Sequence, residues 1–207
     1  MQVSVSILVG VFVVLMILLL QNFMQLMPYI ADSFFRARGS SALENSVRVS
    51  RDRDTIALVM LLPATFLTFR YRLYAPSFLE VEDGSTRLLL TALSIAAFLL
   101  LRLIMYLVAK PRRRYDFYQI AHHASYTFFI LLVLLALLTA GVLSVFGAED
   151  GTIRTVLYVE IAIVYLVYLM RWTQILSLSC NQLRTFLYLC ALEFIPAAAL
   201  ILSAVLA

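Results

Sequence analysis

What this chain lacks most is charge. Only 14% of its 207 residues are Asp, Glu, Lys or Arg, against about a quarter in a water-soluble domain, so a surface facing water on every side is excluded. Lysine is nearly absent, with Lys110 alone beside fifteen arginines. Cys180 and Cys190 are the only cysteines. Two thiols in that setting exclude a disulfide-stapled fold and match neither zinc-ligand nor redox spacing, so both read as small buried apolar residues. No glycine-rich phosphate loop, HExxH motif or nucleophile elbow occurs, which removes any motif-based case for an enzyme, a metal or a cofactor.

What is present is hydrocarbon: 63% of residues are hydrophobic and the mean hydropathy is +0.96. The composition predicts an all-α, polytopic transmembrane helical bundle, with residues 1–207 forming one membrane domain. Six apolar segments run over 3–27, 55–73, 88–109, 118–146, 153–170 and 185–207, most of them near the ~20 residues that cross ~30 Å of hydrocarbon. The second is the weakest, because Asp54 and Arg70 bracket it and Pro63 interrupts it. It spans only if Arg70 and Arg72 snorkel to the headgroups, so a short or re-entrant segment remains open. The opening MQVSVSILVG has no basic n-region and leads into a run too long for a signal peptide, so it reads as an uncleaved anchor.

Basic residues fall unevenly between the loops. Those after the first, third and fifth segments carry eleven, including Lys110, Arg112, Arg113, Arg114 and Arg171; the intervening loops carry four. The positive-inside rule then sets both termini on the non-cytoplasmic side of the membrane. This asymmetry and attraction to anionic lipid account for the net charge of +4, which gives no support to nucleic-acid binding. Arg112, Arg113 and Arg114, and Arg171 with Trp172, read as interface anchors. The polar loop 31–54 holds Ser41 three residues before Glu44, the form of a capping box, and predicts a short helix from about Ala42. That loop is either a docking surface for a partner or a connector lying on headgroups.

The ionisable groups inside the segments are Arg102, His122, His123, Glu160 and Glu193, and lipid forces each to face protein or water. At ~1.5 Å per residue, Arg102 and Glu193 lie about 10 and 12 Å from the cytoplasmic side and the histidines about 6 Å, whereas Glu160 lies about 10 Å from the other side. The depth match predicts an intramembrane ion pair between Arg102 and Glu193, which a guanidinium and a carboxylate make through parallel hydrogen bonds. Pro196 cannot donate to the carbonyl of Leu192, which leaves a further acceptor beside Glu193. Thr91, Ser94, Arg102 and Tyr106 form one polar stripe suited to helix packing. Glu160 has no obvious partner and is a possible transport or ligand residue, or a neutral hydrogen-bonded acid. His122 and His123 point about 100° apart, so at most one could be an axial haem ligand, and no further histidine exists to complete a bis-histidine site. The alternative is a pair of interfacial histidines bonded to Tyr126 or to headgroups.

The run FLYLCALEFIPAAALI, the segment FRYRLY and the arginine- and glutamate-bearing loop before it resemble an uncharacterised family of bacterial inner-membrane proteins, common in Bacteroidetes and classified as a domain of unknown function. The resemblance implies a polytopic protein of about this size and supplies no activity and no functional residues; the histidine pair is not part of the family's pattern. The expected role is a non-enzymatic accessory or scaffold subunit of a membrane assembly, partnered by lipid and by another membrane protein or further copies of itself. The alternatives are a small transporter or channel in which Glu160 and Glu193 titrate, and a haem or quinone protein using His122 or His123.

Overall fold

The computed structural model describes residues 2–35, 47–74, 76, 84–109, 115–177 and 182–206, and among them every regular element is helical. In chain order these are α1 (Gln2–Phe35), α2 (Val47–Val59), α3 (Leu61–Arg70), α4 (Gly84–Ala109), α5 (Tyr115–Val145), α6 (Asp150–Ser177), α7 (Gln182–Leu189), the π-helical segment π1 (Cys190–Phe194) and α8 (Ile195–Leu206). Among the described residues three stretches, Gly84–Val108, His122–Val145 and Asp150–Ser177, are long and apolar enough to cross a membrane.

The helix α5 is the hub. It packs most extensively against α6 and also meets α1, α2 and α3. Its different faces enter three cores: Ile130 and Val133 join Leu26, Ile30, Ile56 and Met60; Ala136 and Ala140 join Leu67, Ile153 and Leu157; Ala124 and Phe128 join Tyr168, Trp172 and Leu192. In α6 the buried residues Ile153, Leu157, Val164, Tyr168, Trp172 and Ile175 are spaced by three, four or seven, which puts them on one stripe of a helix with 3.6 residues per turn. Of the three membrane-length stretches the one in α4 is the least enclosed, with only 6% of it buried.

Several expectations are corrected. The second segment begins earlier than residue 55 and is two helices, because Met60 separates α2 from α3; Pro63, in the first turn of α3, cannot donate to the carbonyl of Val59, and the helix restarts around it. Charged Arg51, Asp52, Arg53 and Asp54 therefore stand on a helix rather than before one. The first segment extends to Phe35 and the fifth to Ser177. The last is not one regular α-helix, since π1 interrupts it. The expected helix from Ala42 lies outside the described residues.

Two helix ends are closed by left-handed residues. After α3, Arg72 adopts φ +49° while Leu73 N–H donates to the Thr68 carbonyl at 3.1 Å. After α5, Gly147 adopts φ +70°, its N–H donates to Ser144, and Ala148 N–H donates to Leu143. The second is a Schellman closure with both of its bonds and the first makes the longer of the two, and each satisfies carbonyls that a helix end otherwise leaves bare. They bring the α3 and α5 ends together: Arg70 grips Asp150 at 2.8 and 3.2 Å, and the Tyr71 hydroxyl lies 3.3 Å from Ser144 Oγ.

Candidate functional site

The bundle's polar centre is assembled from α4, α6 and π1. Thr91, on the α4 stripe, is 2% exposed; its hydroxyl and that of Ser94 donate back to the carbonyls of Arg87 and Leu90. Their hydrogen-bonding demand is thus met within the helix. Two turns beyond Ser94, Arg102 extends from the same face. Its Nη2 donates to Glu193 Oε1 at 2.6 Å and to the Tyr168 hydroxyl at 2.9 Å. Tyr168 in turn donates to Glu193 Oε1 at 2.6 Å, closing a three-membered ring of charge-assisted hydrogen bonds.

The local backbone explains how Glu193 reaches this position. Pro196 has no N–H, so the i→i−4 ladder cannot continue into it, and the helix widens to π geometry over the preceding five residues, with Ile195 N–H donating to the Cys190 carbonyl. Glu193 sits inside that wide turn, 7% exposed, and its own carbonyl lies 3.5 Å from the Tyr165 hydroxyl. The sequence reading omitted Tyr168 from this site. The signal was its place on the α6 stripe between Val164 and Trp172.

Trp172 corrects a second expectation. It is 2% exposed and packed in the core with Tyr168 and Leu189, so it is not an interface anchor; the stripe carries it inward. Its neighbour Arg171 donates to Gln174 at 2.8 Å. Arg112, Arg113, Arg114 and Cys180 lie outside the described residues. Cys190 is only partly buried, unlike the expectation for both thiols.

The histidines lie beside the centre. The His122 ring lies against that of Tyr106, tilted by 36° with centroids 3.7 Å apart, and meets Tyr126 edge-on at 5.4 Å, while His123 lies 5.6 Å from His122. Aromatic contacts on two sides thus enclose His122. A void of about 10 Å³ lined by Arg102, Tyr106, His122, Trp172, Leu192 and Glu193 joins the imidazole to the ion pair.

Glu160 stands apart and has one hydrogen-bond partner among the described residues. Its Oε2 lies 2.8 Å from Thr139 Oγ1 on α5, which is itself 3.0 Å from the Leu135 carbonyl. The Thr139 hydroxyl donates to that carboxyl oxygen and shares its single proton with the Leu135 and Ala136 carbonyls, the latter at 3.2 Å. Glu160 Oε1 is buried and takes no bond among the described residues.

A further buried charge went unforeseen. Arg53, 1% exposed, donates to Asp54 Oδ1 through Nε and Nη2 at 2.9 and 2.7 Å and to Ser50 Oγ at 3.1 Å, and its guanidinium faces the Tyr126 ring at 5.8 Å. Tyr126 therefore stands between Arg53 and the histidines. Comparison with protein-family models, with curated proteins and with solved structures yields no match.

Proposed function

We propose that this chain is a six-span integral protein of a bacterial inner membrane, with both termini on the non-cytoplasmic side, serving without enzymatic activity as an accessory or scaffold subunit of a membrane assembly. The observation that carries the reading is the ring formed by Arg102, Tyr168 and Glu193. In lipid, apolar contact between helices gains little over contact with acyl chains, so buried polar links and close packing decide which helices meet. Here the charges are spent on joining α4, α6 and π1, a structural use that needs no substrate. The bare apolar side of α4, with Leu93, Leu100, Leu103 and Leu107 exposed, is suited to acyl chains or to a partner's helix.

The test is purification in a mild detergent. A membrane protein recovered in fixed stoichiometry, and lost from the membrane when this chain is deleted, is the expected result. A lone homo-oligomer would contradict the subunit reading. The unpartnered Oε1 of Glu160 favours one second reading, a small transporter. Proton-coupled flux in liposomes that Glu160→Gln abolishes would establish it in place of the first.

A further inference from the structure

We infer that the face of the ion pair turned away from the histidines is the floor of a binding site for an uncharged lipid-soluble molecule whose head carries a carbonyl oxygen. A cavity of about 270 Å³, partly open, lies among α4, α5, α6, π1 and α8. That is close to the lower end of the range for small-molecule sites, about 300 Å³. Its walls are aromatic and aliphatic, with Phe98, Phe128, Phe129 and Leu132 among them, and Arg102, Tyr165, Tyr168 and Glu193 supply the polar groups. An apolar chamber with a few convergent polar groups at one place is the usual form of a site for an amphiphile.

The polar groups decide the head. Among the described residues Arg102 donates only through Nη2, although a guanidinium carries five N–H bonds, and the side chain keeps 23% of its surface exposed. Donors on the Nε and Nη1 side are therefore left for an acceptor in the cavity. The charge of Arg102 is already balanced by Glu193. An anionic head would leave a net negative charge in a low-dielectric interior and would meet the Glu193 carboxylate, whereas a neutral carbonyl takes the donors without adding charge. Pro196 and Ala197 wall the same space, so the wide turn that aims Glu193 also shapes the chamber. This chemistry is shared by the head of an isoprenoid quinone and by the ester groups of a diacylglycerol.

The protein in detergent micelles tests this directly. Trp172 is the only tryptophan and lines a small void that shares Arg102, Leu192 and Glu193 with the cavity, so its fluorescence reports on the site. Decylubiquinone and dioctanoylglycerol would each be titrated, reading thermal midpoint for both and Trp172 quenching for the quinone, with octanoate as the anionic comparison. The expected result is a saturable rise in midpoint with at least one neutral probe, lost in Ala197→Phe, which fills the cavity; the probe that acts identifies the source of the carbonyl. Leu132→Phe fills the cavity from α5 and decides the matter should Ala197→Phe not fold. The inference is overturned if neither neutral probe shifts the midpoint, if the filled variants respond as the wild type does, or if octanoate binds more tightly than either.

Discussion

Tyr168 donates its hydroxyl to the same oxygen of Glu193 that receives Arg102 Nη2, and accepts from that same nitrogen. The phenol is thus a wedge between two charges, held by both. Tyr168→Phe preserves the ring's packing against Phe128, 5.5 Å away, and removes both bonds. The expected loss is about 1.5–3 kcal/mol, the range for a hydrogen bond to a charged group, read as a lower thermal midpoint in detergent. An unchanged midpoint would show the hydroxyl to be idle.

The two left-handed helix ends predict effects of opposite sign. Gly147→Ala meets no atom within 4 Å, so its cost is purely conformational, about 1 kcal/mol for an L-residue at φ +70°. Arg72→Gly relieves the same strain at φ +49° and is expected to stabilise by up to about 1 kcal/mol, less the extra chain entropy that glycine brings to the unfolded state. Measured side by side, the variants should move the midpoint in opposite directions.

The Arg70–Asp150 contact looks strong in geometry and is weak in energy. Both side chains are more than half exposed, so water and salt screen the pair. Asp150→Asn is expected to cost less than about 1 kcal/mol, and the difference from wild type should shrink as salt is raised.

At Glu160 one carboxyl oxygen accepts from the Thr139 hydroxyl and the other takes no bond among the described residues. Glu160→Gln keeps a carbonyl oxygen to accept from Thr139 and is expected to fold within about 0.5 kcal/mol of wild type. Thr139→Val removes the partner and is expected to cost about 1–3 kcal/mol. Both are read as thermal midpoints in detergent, and a Thr139→Val midpoint equal to that of wild type would refute the contact.

Trp172 supplies an optical check on its burial. Aqueous iodide should leave its emission nearly untouched, and headgroup-level brominated lipid should quench it no better than deep-brominated lipid. Strong quenching from the aqueous side would return it to the interface.

The sequence makes the long apolar helices legible because hydropathy is a sum over many residues: segments 88–109 and 118–146 nearly coincide with Gly84–Ala109 and Tyr115–Val145. The charged helix α2 is hidden from the same reading, since Arg53 is buried by Ser50, Asp54 and Tyr126, local and tertiary partners that no hydropathy sum contains. The contact of Arg102 with Glu193 is legible as a match in depth. Tyr168 is not, because a neutral hydroxyl carries too small a penalty in an apolar helix to demand a partner. Trp172 misleads for a related reason: its position near a helix end suggests an interface, whereas its register on the α6 stripe points inward, and register is the stronger constraint once a packed neighbour exists. The π turn follows from Pro196, but whether a proline kinks, breaks or widens a helix depends on what its neighbours bond to, here Glu193 with Arg102.

The most direct test of the account is a double-mutant cycle at the ion pair. Arg102→Met and Glu193→Met should each cost about 3–5 kcal/mol, because each strands an opposite charge in the interior. The double variant should cost well under the sum, with a coupling of at least about 2 kcal/mol. Additive losses would contradict the claim that these two residues neutralise one another within the bundle.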